Sequence, residues 1–410
     1  MKLKILSNPL QLFSMIIIFP VGSMHEEKDV SGISHLLEHL LFKTKNEALH
    51  SKFKSLGAHV NASTSKEYTS YYATVPIKHC KAIIEIMGKV IGKFGIDETI
   101  LNEEKEIVRQ EIEYSQSTRD AFDLLFSDTP FKKSILGTKK TLANISLRDL
   151  RDYYGTRYDK KGCVICASCP ENKKDTVKKC IQKHFAEHMH TPVLGTPYDF
   201  LQHKKENGIE IHAKKEFGLE IGLITQKYER RFILVLDFII YLLCGELASK
   251  WYKIMRKEKR HVYALSISPH TFSSTGMIRI ICSSRNDIVD VLSDMCQLIA
   301  HAAKNGVIEN DTELEQEKKA FQNQLTMYFT NTSKTVEYVA RDMLYSNTKG
   351  ISPDLQIKAI QTISMTEVND VTKRIFSGPK FVVVGNNTQD SDAKLVRRVR
   401  GVLSHCQDST

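Results

Sequence analysis

A chain of 410 residues that is 41% apolar and 26% charged is long enough for two domains with cores of their own and too apolar to be disordered. Its net charge of +10 comes from 58 Lys and Arg against 48 Asp and Glu, spread evenly over both halves. A nucleic-acid binder concentrates its basic residues in a stripe or tail, so no nucleic-acid partner is expected. Nine cysteines, odd in number and without the spacing of a disulfide framework, indicate a reducing compartment and buried thiols. No run reaches the ~20 apolar residues of a transmembrane helix, so no membrane span is expected.

In chain order, Met1-Lys-Leu-Lys4, the apolar residues after it and Gly22-Ser23 have the outline of a signal peptide. Asn8, Pro9 and Gln11 interrupt that outline, and Leu12 to Val21 reads as a buried, β-branched strand. With no clear signal or transit peptide, an intracellular, cytoplasmic location is expected ahead of a mitochondrion-type compartment. His59–Pro76 reads as strand, and Lys81–Phe94 and Glu98–Gln116 as helices with apolar residues at helical spacing. Cys163-Val-Ile-Cys166-Ala-Ser-Cys169-Pro170 has C-x-x-C spacing, but its neighbours are those of a core strand stopped by proline rather than of a metal loop. In the second half, Phe232–Met255 and Asp287–Lys304 read as helices, and Tyr263–Pro269 and Gly276–Ser283 as strands.

The chain contains an echo of itself. Ser146 opens a capping-box helix, and seventeen residues later a strand begins at Cys163. Ser364 opens a similar helix, and seventeen residues later the strand Phe381-Val-Val-Val384 begins. Two similar α+β domains follow, 1–195 and 196–410, each a mixed or antiparallel sheet packed with long helices. Pro192, Gly195, Pro197 and Gly208 mark the joint near 189–208.

Chemistry-bearing residues gather at Ser34-His35-Leu-Leu-Glu38-His39, an H-x-x-E-H in an apolar helix with Ser31 or Ser34 as N-cap. His35 and His39, four apart, share a helix face and can aim two imidazoles at one metal ion. Glu38, one turn from His35, can act on a water held at that ion, and a third ligand is needed. A second H-x-x-E-H, His184 to His188, sits at the polar end of a helix and is read as chance. Downstream of the first, Glu104 and Glu111 lie seven apart, two turns along one face of a strong helix.

With that pattern the sequence resembles the pitrilysin/insulinase family of zinc peptidases, and within it the half-length branch typified by mitochondrial processing peptidase. The resemblance runs through Gly22-Ser23-Met-His-Glu26 and Gly32-Ile33-Ser34 as the lead-in to the metal helix, Leu56-Gly57-Ala58, Asn61-Ala62-Ser63-Thr64, Tyr71-Tyr72-Ala-Thr-Val-Pro76, Ile135-Leu136-Gly137-Thr138, Cys244-Gly245 to Ser249, and Arg256 with Tyr263. Phe42-Lys43-Thr44-Lys45 lacks the glycine that family members carry after the metal helix. The resemblance implies a zinc endopeptidase with one zinc per chain on His35, His39 and Glu111, and with Glu38 as general base. It implies that Glu104 orients the site, that Asn61, Ala62 and Ser63 pair with extended peptide substrates, and that Arg256 and Tyr263 contact the substrate. It makes 1–195 the zinc-binding catalytic domain and 196–410 the domain that completes the substrate site. It implies assembly in pairs, a homodimer ahead of a heterodimer. In the mitochondrial branch, acidic residues beyond the third ligand read arginine near the cut, and Asp120 and Asp123 lie in that neighbourhood, with the register left open. The alternative on the same fold is a non-catalytic scaffold or core subunit, or the inactive partner of a pair.

Overall fold

The computed structural model describes residues 1–42, 47–92, 94–115, 120–158, 163–185, 207–213, 218–386 and 392–408. The chain divides into two compact units, Met1–Ser117 with Asp128–Thr196 and Thr326–Leu355, and Thr118–Ser127 with Pro197–Leu325 and Gln356–Thr410.

The first unit is built on strands β1 (Lys2–Ser7), β2 (Leu12–Phe19), β3 (His59–Thr64), β4 (Thr69–Pro76) and β5 (Val164–Cys169), ordered β1-β5-β2-β4-β3. β1 and β5 run parallel, and the other neighbours antiparallel. Successive side chains of a strand point to opposite faces, and β2 needs apolar residues on both. Phe13, Met15, Ile17 and Phe19 join one cluster with Leu36, Leu40, Ile83 and Met87. Ile16 and Ile18 join another with Val164, Cys166, Val336, Val339 and Met343. That is why the segment after Asn8 reads as an unbroken apolar run. The same alternation settles the cysteines, since Cys163 and Cys169 face one cluster and Cys166 the other, so the three cannot share a metal. Burial pushes the thiol of Cys163 up to about 12 and that of Cys169 to about 11.

The second unit repeats the plan strand for strand. β6 (Gly208–Ala213), β7 (Gly218–Thr225), β8 (Ala264–Thr271), β9 (Gly276–Ser283) and β10 (Lys380–Asn386) are ordered β6-β10-β7-β9-β8, with β6 and β10 parallel. The sequence echo is the signature of this duplication. Ser146 accepts from the backbone N–H of Asp149, and Ser364 from that of Glu367, each opening the helix that leads to a central strand.

Three expectations need correction. The units are not contiguous halves: the helix Thr332–Tyr345 lies on β2 and β5 of the first unit, and Ala121–Leu125 lies on β7 and β10 of the second. Each sheet has a second face to cover, and helical periodicity does not tell which sheet a helix covers. Phe232–Met255 is not one helix. Arg230–Ile240 passes into a wide turn at Tyr241–Gly245, leaves the helix at Glu246, and resumes at Lys250. The Ser249 hydroxyl accepts from the Glu246 amide at 2.7 Å and donates to the Tyr241 carbonyl, fixing the break. Finally, Arg230–Glu258 is apolar enough by length and composition to cross a membrane. Its Phe232, Leu234, Val235, Phe238, Ile239 and Leu242 are core residues of the second unit, which accounts for that character. The joint near 189–208 and the turn at 43–45 fall largely or wholly outside the described residues.

Because Ile18 is fully buried between two sheet partners and the helix Thr332–Tyr345, Ile18→Ala is expected to cost about 2–5 kcal/mol. Urea denaturation, read as a lowered midpoint at unchanged slope, checks this.

Candidate metal centre and active site

The helix Ile33–Phe42 carries the two histidines, and its start is fixed by the last residue of the Gly22–Glu26 lead-in, whose role as a cap the sequence did not show. Neither Ser31 nor Ser34 caps it. Glu26, 3% exposed, accepts from the backbone N–H of Gly32 at 2.7 Å and of Ser34 at 2.9 Å, giving two orphan donors of the first turn a carboxylate. Burial holds the Glu26 carboxyl above its usual range, and these backbone hydrogen bonds offset only part of that rise. Gly32 has φ of +98°, and a Cβ there would come within 2.6 Å of the Leu136 carbonyl. Ser34 shares a 2.7 Å hydrogen bond with the Tyr153 hydroxyl. The helix therefore has one register.

In that register His35 and His39 lie side by side, ring centroids 4.5 Å apart. The helix Glu98–Tyr114, capped by Asp97, brings Glu111 to both: its Oε2 is 3.6 Å from His35 Nε2 and 3.6 Å from His39 Nε2. The donor atoms of the three residues lie within 4.8 Å of one another. Two turns back on the same helix, the buried Glu104 places Oε2 at 3.3 Å from His39 Nδ1, leaving Nε2 aimed at Glu111. His39 and Glu104 are closed off, whereas the Glu111 side chain is 38% exposed. Two imidazoles and a carboxylate, open to solvent on one side, suit a tetrahedral zinc with a free fourth position.

Glu38, also buried, accepts a hydrogen bond from the Thr64 hydroxyl at 2.9 Å. Thr64 ends β3, so the edge strand and the acidic side chain are tied together. The motif Asn61-Ala62-Ser63-Thr64 carried this signal, although only its first three residues were expected to act. β3 pairs only with β4 among the described residues and lies against the histidine helix. Asn61 and Ser63 of β3 are exposed and Ala62 is buried. Tyr71 and Tyr158 hydrogen-bond one another at 3.2 Å beneath the site. Burial, with a smaller contribution from the Glu38 charge, raises both phenols, Tyr158 to about 12.

In the second unit the structure joins Arg256 and Tyr263. Arg256 Nη1 donates to the Tyr263 carbonyl and to the Tyr252 hydroxyl, with its guanidinium 5.4 Å from the Tyr252 ring centroid. Tyr263 is exposed, immediately before β8. Asp120 and Asp123 form the capping box of Ala121–Leu125, and Asp120 also pairs with Arg279 at 3.1 Å. Of the second H-x-x-E-H only His184 and Phe185 are described, at the end of the helix Lys174–Phe185; Glu187 and His188 lie outside the described residues.

Comparison with known proteins agrees with this arrangement. A family model described as Insulinase (Peptidase family M16) matches residues 5–139, and one described as Peptidase M16 inactive domain matches residues 144–321. The chain is 29% identical over 378 residues to the uncharacterized zinc protease YmxG of Bacillus subtilis, covering 87% of this chain and 88% of that protein. It is 31% identical over 158 residues to human cytochrome b-c1 complex subunit 1, covering 36% of this chain and 33% of that one. A protease from Helicobacter pylori has the same fold, with a TM-score of 0.79 at 19% identity over 93% of this chain and 96% of that one.

Glu26→Ala leaves two buried N–H donors at the helix start without their acceptor. A stability loss of roughly 1–3 kcal/mol per stranded donor is expected, measurable by thermal or urea unfolding, with Glu26→Gln losing less.

Proposed function

Because the chain belongs to the insulinase family of peptidases (M16), we propose that it is a zinc-dependent endopeptidase acting on extended or unfolded peptides. The observation that carries this reading is the convergence of His35, His39 and Glu111, with Glu38 on the same helix and hydrogen-bonded to the edge strand. His35 Nε2, His39 Nε2 and Glu111 Oε2 are the atoms that would hold one zinc per chain. Zinc in such a site is a Lewis acid that polarises the scissile carbonyl and makes water a competent nucleophile near neutral pH.

The chain's own residues do the rest. The Glu38 carboxylate takes the proton of the attacking water and returns it to the leaving amine nitrogen, while the Thr64 hydroxyl fixes the direction of that carboxylate. Glu104 holds His39 at Nδ1, so that Nε2 presents its lone pair to the metal. The outer edge of β3 at Asn61, Ala62 and Ser63 receives the substrate backbone as an added strand, which suits extended chains of varied sequence. Arg256 and Tyr263 steady the substrate or its tetrahedral intermediate. The half-length chain acts in a pair, with an identical or a different subunit.

A second reading, a non-catalytic scaffold or the inactive partner of a pair, draws support from the likeness to cytochrome b-c1 complex subunit 1 and from the match to the inactive-domain model. Against it stands the complete set of His35, Glu38, His39, Glu104 and Glu111, held together by the contacts above.

Zinc-loaded protein is expected to cleave quenched fluorescent, unstructured peptides. Glu38→Gln should lower kcat by about a hundred-fold or more at unchanged zinc content, and a chelator should abolish cleavage reversibly. An inert zinc-loaded wild type, alone and in mixture with candidate partner subunits, would favour the scaffold. Glu104→Gln should instead weaken zinc binding by about 10–100-fold, read by competition with a chromogenic chelator.

A further inference from the structure

The seven-residue spacing between Arg256 and Tyr263 is spanned by an unusual piece of backbone. The helical turn Lys253–Glu258 ends as the Lys259 amide donates to the Ile254 carbonyl, and the amides of His261 and Val262 both return to the Met255 carbonyl. To make that return Arg260 takes φ of +57°, a left-handed conformation that favours glycine and costs an arginine free energy. Strain of this kind persists only where the surroundings hold it.

What holds it comes mainly from one side chain. Asp294 lies on the helix Ile288–Asn305 among core residues and is 8% exposed. A carboxylate there must be paired. Its Oδ1 contacts Lys259 Nζ and its Oδ2 contacts His261 Nδ1, so the two oxygens grip the chain on either side of Arg260. Lesser ties complete the clamp: the Ser284 hydroxyl donates to the His261 carbonyl, and the Asn286 amide to that of Arg260.

We infer that Asp294 is a positioning residue for Arg256 and Tyr263, acting through Lys259 and His261 and touching no substrate itself. The inference rests on the reading that Arg256 and Tyr263 contact the substrate. Without Asp294 the left-handed turn relaxes, and the Tyr263 carbonyl no longer meets the Arg256 guanidinium.

The test compares full-length wild type with Asp294→Ala, with Lys259→Met/His261→Gln, and with the combination of all three. Hydrogen exchange of the His261, Val262 and Tyr263 amides is expected to quicken about ten-fold or more in each variant. Exchange at Ile299 and Ala302, farther along the Asp294 helix, should stay as it was, which excludes general loosening. Cleavage of the peptide mixture should fall about ten-fold in kcat/KM in each variant, the triple variant adding little because the groups act as one unit. Arg256→Ala serves as the control on the reading beneath. If Arg256→Ala is impaired while Asp294→Ala keeps wild-type exchange and cleavage, Asp294 is not a positioning residue. If exchange quickens in Asp294→Ala while Arg256→Ala cleaves normally, Asp294 positions the turn and the substrate role of the pair is what fails.

Discussion

Glu104 is a carboxylate at 3% exposure in the middle of an amphipathic helix, and a group of that kind is tolerated in a core only when something answers its charge. Here the answer is His39, itself fully buried. That single contact binds the helix of the histidines to the helix of the glutamates and fixes which nitrogen of His39 faces outward. Glu111, two turns further on, then falls into place before both imidazoles by helix geometry alone. The site is thus a consequence of two helices locked by one buried pair, with Glu26 setting the register of the first.

The rest of the unit serves that lock. The sheet beneath is apolar on both faces, and Phe19, Tyr71 and Tyr158 form an aromatic floor. β3 stands at the sheet edge with its last residue bonded to Glu38, which couples the place where a peptide would pair to the place where a proton would move. Loss of that hydrogen bond would leave the carboxylate buried with one acceptor fewer engaged.

Duplication without identity is the other organising fact. The two sheets have one topology, yet between β7 and β8, where the first unit has its histidine helix, the second has Arg230–Ile240, whose buried residues are all apolar. That repeat has apolar core side chains where the first has its two histidines, and it carries a strained turn gripped by Asp294. A helix from the later part of the chain covers the second face of the first sheet, and a short helix from the earlier part covers a face of the second. Neither sheet is completed by its own half of the sequence.

Much of the site is local and so was legible in the chain. His35 with His39, and Glu104 with Glu111, are helical spacings, and an apolar helix period tells which face each occupies. The strand at Leu12–Phe19, the strand containing Cys163 to Cys169 and the Ser146 and Ser364 caps follow from alternation and capping, which act over a few residues. Glu26 and Thr64 were legible only as members of motifs, and Asp294 not at all, because the role of each depends on a partner that the fold brings near: a helix start six residues on, a glutamate 26 residues back, a turn over thirty residues earlier. The break at Glu246 was hidden because the apolar pattern runs past it, and the exchanged helices because periodicity shows that a face is buried without showing against what. Sequence by itself determined the elements and the chemistry they carry, since these rest on short-range geometry; tertiary structure alone decided which buried carboxylate meets which donor, since that pairing exists only once distant segments are packed.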